Sequence, residues 1–142
     1  MEPADLREKV FESLTKYDDL TLLEVYSVFM AKSQILELAL KRTLEGKAGL
    51  TTEDTEKFTL GRTINDLGNL NMHPQFIFLL RELLDYRNDI AHNFLADNAI
   101  GNNLVGSEYD RLSAKTLRYA VYKVQEATLV YDYLHENNYL FY

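Results

Sequence analysis

From Leu22 to Glu45 the chain contains neither glycine nor proline, and no useful length of the sequence alternates apolar and polar residues as a half-buried strand does. An uninterrupted run of this kind can become a long helix or very little else. Its apolar positions, among them Leu22, Val25, Phe29, Ile35, Leu36, Leu38, Leu40 and Leu44, are more numerous than one narrow stripe can hold. The run therefore predicts a helix packed on two sides, capped at its start by Asp19 or Thr21 and ended by Gly46 or Gly49.

The remaining breakers divide the chain into similar pieces. After Pro3, the residues Leu6, Val10, Phe11 and Leu14 give a first helix with one buried face. Thr51-Thr-Glu-Asp-Thr-Glu is a helix start with the acidic first turn that the helix dipole favours, leading into Phe58, Leu60, Ile64 and Leu67. Asn69 to Pro74 breaks that run. Pro74 then opens a helix that carries Phe76, Ile77, Leu79, Leu80, Leu83, Leu84, Ile90 and Phe94. Ala96 to Ser107 holds two of the six glycines and reads as a loop. A closing helix from about Ser107 or Ser113 carries Leu117, Val121, Val124 and Leu134. The expectation is one domain spanning residues 1–142, an all-α bundle of four or five helices.

Composition narrows the function classes. Hydrophobic residues make up 46% of the 142 positions, too many for a chain that stays solvated and unfolded. A domain of this size buries about two thirds of its unfolded surface, enough for one core. There is no cysteine, hence no disulfide, no thiolate nucleophile and no cysteine zinc site. No apolar run reaches the roughly 18 residues that a membrane span requires, and the acidic, polar N-terminus has no signal-peptide pattern, so a cytoplasmic location is expected. A net charge of −7 repels polyphosphate at long range, which excludes nonspecific DNA binding and confines any nucleic-acid chemistry to a few placed cations.

The three histidines differ in their surroundings. His73 precedes Pro74 in a turn and His135 sits in a polar segment; both read as solvated residues. No HExxH pair or other ligand spacing is present, and no Gly-rich phosphate loop follows a strand, so neither a metal nor a cofactor is expected. His92 lies in Leu83-Leu-Asp-Tyr-Arg-Asn-Asp-Ile-Ala-His-Asn-Phe94, where Arg87, Asn88, Asp89 and His92 interrupt an apolar helix. Buried polar groups without partners cost roughly 1–3 kcal/mol each, so such a cluster is either paired or functional. Structurally, Arg87 would pair with Asp85 or Glu82 and His92 would be a satisfied core histidine.

The string Arg87-Asn88-Asp89-Ile90-Ala91-His92 resembles the Arg-x(4–6)-His motif of the HEPN family, in which a polar residue, often Asn, follows the arginine. The resemblance covers about six residues in sequence and most of the chain in architecture: an up-and-down helical bundle with the motif ahead of the closing helix. It implies a metal-independent endoribonuclease working as a homodimer in a toxin–antitoxin or antiviral-defence system, with Arg87 and His92 catalytic and Asn88 positioning one of them or the phosphate. It also implies an antitoxin or regulatory partner. One subset of the family carries a tyrosine two residues after the histidine as a target of adenylylation; here that position is Phe94, which has no hydroxyl to modify.

The residue chemistry agrees with that implication. RNA is cleaved when its 2′-OH attacks the adjacent phosphate, and the catalyst must move protons and stabilise charge on phosphorus. An imidazole suits the first task and a guanidinium fork the second. Residues five apart on a straight helix point about 140° away from each other, so one motif converges poorly unless the helix is distorted or a second copy supplies the missing group. Arg111, Lys115 and Arg118 lie at i, i+4 and i+7 on one helix face, as candidate guides for an RNA strand or as a solvated outer face. The competing functional reading is a non-catalytic helical interaction protein that retains the motif.

Overall fold

The computed structural model describes residues 2–94 and 107–142, and among them the architecture is all-helical. Six α-helices run in the order α1 (Pro3–Leu14), α2 (Leu22–Ala48), α3 (Thr52–Thr55), α4 (Leu60–Asn69), α5 (Pro74–Asp89) and α6 (Ser107–Glu136). A short 3₁₀ turn, Thr15–Tyr17, follows α1, and a π turn, Ile90–Phe94, follows α5. The expected loop at 96–107 lies, up to Ser107, outside the described residues.

Local chemistry sets the ends of the long second helix. The Thr21 side chain accepts from the Glu24 backbone N–H, and the Glu24 carboxylate accepts in return from the Thr21 N–H, closing a capping box. At the other end Gly49 takes φ 72°, a left-handed conformation that costs a side-chain-bearing residue, and its N–H reaches the Glu45 carbonyl. The stretch after Thr51 departs from the single helix expected. Thr51 and Asp54 form a second capping box over only four helical residues; Thr59 then starts α4 afresh by accepting from the Arg62 N–H. Two N-caps eight residues apart favour two short helices over one, which brings the number of α-helices among the described residues to six.

The core lies where α2 and α5 meet the central α6, with α4 packed against α2 and α5. Phe29, Leu36, Leu40 and Leu44 of α2 pack with Leu60, Ile64 and Leu67 of α4, Phe76, Leu80 and Leu83 of α5, and Leu117, Val124 and Ala127 of α6. Two expectations are corrected here. Phe11 is half-exposed, whereas Val10 is fully buried and Leu6 and Leu14 are half-buried, so the buried face of α1 lacks one of its four expected members. The second side of α2 is uncovered: Leu23, Ile35 and Leu38 are exposed, Ile35 at 69%. The bundle supplies partners for only one stripe of α2, because α6 and α4 both pack against that same side.

The chain end is fastened. Asn138 takes φ 58° as α6 ends, and the tail returns to pair Phe141 with Met72. The His73 N–H donates to the Leu140 carbonyl at 2.7 Å and the Tyr142 N–H to that of Asn71 at 3.1 Å. His73, read as a solvated turn residue, is instead half-buried, with its ring stacked on Tyr142 and its Nδ1 enclosed without a partner.

Candidate functional site

Helix α5 is anchored by Phe76, Ile77, Leu79, Leu80 and Leu83, which leaves its final turn to carry the polar cluster. Ile90 is fully buried and pins the turn to the core, while Asn88, Asp89, Ala91 and His92 are exposed around it. One buried aliphatic residue thus holds a polar rim in place.

At Ile90 the helix widens into the π turn that runs to Phe94. A π turn closes i to i+5 hydrogen bonds and advances by a smaller angle per residue than an α-helix; such turns are frequent at functional sites. The distortion begins inside the Arg87–His92 interval and takes in its last three residues, so the five-residue spacing does not follow straight-helix geometry there.

Arg87 is three-quarters buried and its Nη2 lies 3.5 Å from Oε1 of Glu37 on α2. Glu37 also receives Lys41, one turn further along, at 3.7 Å. The expected partners of Arg87, Asp85 and Glu82, are not used: Asp85 is exposed and Glu82 pairs with Lys123 at 3.2 Å. Lys123 is shared between Glu82 and Glu126. Burial pulls its ammonium down, but the two carboxylates more than offset that and hold it above the ordinary lysine value. Arg87 Nε is buried with no hydrogen-bond partner. The guanidinium is therefore engaged at one end only, by a residue fifty positions away. Glu37 is the site residue that sequence reasoning missed; its only signal is a carboxylate set between Leu36 and Leu38 in an apolar run.

His92 is exposed and so is not the buried core histidine of the structural alternative. One protomer thus presents an accessible imidazole, a part-buried guanidinium and the exposed amide of Asn88 at the end of one helix. Chemically this set can transfer a proton and bind an anion. No protein-family model, curated protein or solved structure matches this chain. The reading of the site rests on its own residues.

The second cationic group lies on α6. Lys115 and Arg118 border a cavity of about 960 Å³ lined by α1, the 3₁₀ turn, the start of α2, the end of α5 and α6. Its walls include Phe11, Leu14, Leu20, Val25, Tyr86 and Tyr122. The Arg111 side chain lies outside the described residues. Among the described residues no three His, Asp or Glu side chains gather as a metal site would require, and no helix is long and apolar enough to cross a membrane.

Proposed function

We propose that this chain is a metal-independent endoribonuclease of the HEPN type, acting as a homodimer in a toxin or antiviral-defence role. The observation that carries the reading is the π turn that begins inside the Arg87–His92 interval, with His92 in solvent and, five residues before it, an arginine whose buried Nε has no hydrogen-bond partner. The 2′-oxygen forms a bond to phosphorus as the bond to the 5′-oxygen breaks, giving a 2′,3′-cyclic phosphate and a 5′-OH end. His92 takes the 2′ proton, and a second imidazole, from the twin subunit, returns one to the leaving oxygen. Arg87 binds the phosphoryl oxygens, and Asn88 positions them. DNA, which lacks the 2′-OH, is not cleaved. The uncovered side of α2, with Ile35 and Leu38, supports a second copy as partner.

A structural RNA with single-stranded loops, incubated with purified protein in EDTA, is expected to yield cyclic-phosphate ends. Arg87→Ala and His92→Ala are expected to abolish cleavage while the helical circular dichroism is retained. Equal cleavage by all three proteins, or none by the wild type, removes the assignment. The Glu37–Arg87 pair favours a second reading, in which Arg87 is structural and the chain is a helical interaction or regulatory protein. Growth arrest on expression of wild type but not of His92→Ala selects the nuclease; harmless expression of both selects the interaction protein.

A further inference from the structure

The ribonuclease reading does not use the cavity beside α1, whose lining is ordered along one wall. On α6, Lys115, Arg118, Tyr119 and Tyr122 fall at i, i+3, i+4 and i+7, hence on one face. At 1.5 Å of rise per residue this face runs for about 10 Å, with cations in its first turn and aromatic rings in its second. Phe11 faces Tyr122 across the ring end, their centroids 5.4 Å apart, and Leu14, Leu20 and Val25 complete the apolar part.

The charges are unequal in a way that points to a ligand. Lys123, which also lines the cavity, is neutralised by Glu82 and Glu126. Among the described residues Lys115 and Arg118 have no ionic or hydrogen-bond partner, and Asp18, at the end of the 3₁₀ turn, is the one acidic side chain in the lining. In a chain of net charge −7, two adjacent cations left without carboxylates at the mouth of an apolar cavity complement an anionic group. The volume is that of a small-molecule site, and the lining is mostly apolar with a few convergent polar groups.

We propose that this cavity binds an amphipathic anion: an extended apolar chain lying along Tyr119, Tyr122 and Phe11, ended by a carboxylate or phosphate held by Lys115 and Arg118. The inference is independent of the ribonuclease reading, since it uses none of Arg87, Asn88 and His92.

The chain has no tryptophan and four tyrosines line the cavity, so tyrosine fluorescence of the full chain reports on occupancy directly. Decanoate and decyl phosphate are the probes, and the tighter of the two identifies the head group. Decyltrimethylammonium tests the sign of the charge and AMP tests a nucleotide. Saturable quenching by decanoate or decyl phosphate, with a rise in melting temperature, is expected. The double variant Lys115→Glu/Arg118→Glu, altered only at exposed positions, is expected to weaken that binding about tenfold or more. Ala114→Trp, which places an indole at the cavity wall, is expected to abolish binding while the circular dichroism is unchanged. The proposal is overturned if neither alkyl anion binds at millimolar concentration, if charge reversal leaves affinity unchanged, or if decyltrimethylammonium binds equally well. Tighter binding of AMP than of either alkyl anion also overturns it and assigns the cavity to nucleotides.

Discussion

Arg87 is where the chemistry of a single residue decides most. Its guanidinium is mostly out of solvent and meets one carboxylate, Glu37, without hydrogen bonds that occupy its Nε. A pair of this kind gains more than a surface ion pair and less than a fully hydrogen-bonded buried one. Glu37→Gln is expected to lower the unfolding free energy by on the order of 1 kcal/mol in urea denaturation. A double-mutant cycle with Arg87→Ala is expected to give a coupling of similar size; a coupling of zero would show that the two side chains do not interact in solution. The sequence displays Arg87, Asn88 and His92 as a cluster, but shows Glu37 only as a carboxylate in an apolar run and does not pair it with Arg87. Pairing across helices depends on how α2 lies against α5, and no local pattern encodes that.

Among the elements, the ends of the helices were the most legible part. Thr21, Thr51 and Gly49 act through contacts within four residues, so the sequence narrows the ends of α2 to Asp19 or Thr21 and to Gly46 or Gly49, and marks a helix start at Thr51. Thr21→Ala and Thr51→Ala are each expected to cost about 1 kcal/mol, and Gly49→Ala a similar amount because φ is 72° there. Calorimetric melting of the three variants checks these values.

Carboxylates at and near these caps lose stabilisation in acid. The Thr21 N–H holds the Glu24 carboxyl below its ordinary value, and the Thr51 N–H does so for Asp54. Burial pushes Glu45 up, but hydrogen bonds from Thr55, Arg42 and Thr52 outweigh it and leave Glu45 lowered as well. Each group binds protons less readily folded than unfolded. Their stabilisation is therefore complete above the ordinary carboxylate range and is lost as pH falls below about 4. Melting temperature measured from neutral to acid pH is expected to fall across that window, and to fall less steeply when Glu45 is replaced by Gln. The division of 51–69 into α3 and α4 was less legible, since Thr59 is one threonine among several until Arg62 turns its N–H toward it.

For the whole molecule, the balance between core and surface is the deciding quantity. Leu40→Ala, at a fully buried position between helices, is expected to cost about 2–5 kcal/mol. Ile35 and Leu38 lie on the opposite side of the same helix and contribute little to a single protomer. Ile35→Glu/Leu38→Glu is expected to leave the melting temperature within a few degrees while converting a dimer to a monomer in light scattering. A wild type that remains monomeric at high concentration would remove the dimer and with it the shared cleft. Acidic residues on both copies would repel across a two-fold axis, so the variant tests the interface and not the fold.

Periodicity, caps and the scarcity of glycine and proline determined by themselves that the chain is helical, roughly where each helix lies, and that Arg87 and His92 share one segment. Those properties arise from contacts a few residues apart, which a linear string records. Only the tertiary structure decided that α2 is covered on one side, that Glu37 meets Arg87, that Ile90 pins a π turn beneath the exposed His92, and that Phe11 and Tyr122 wall a cavity. Each of these depends on which faces come together when helices pack, a choice made by the summed burial of the whole core and not by any neighbourhood of the sequence.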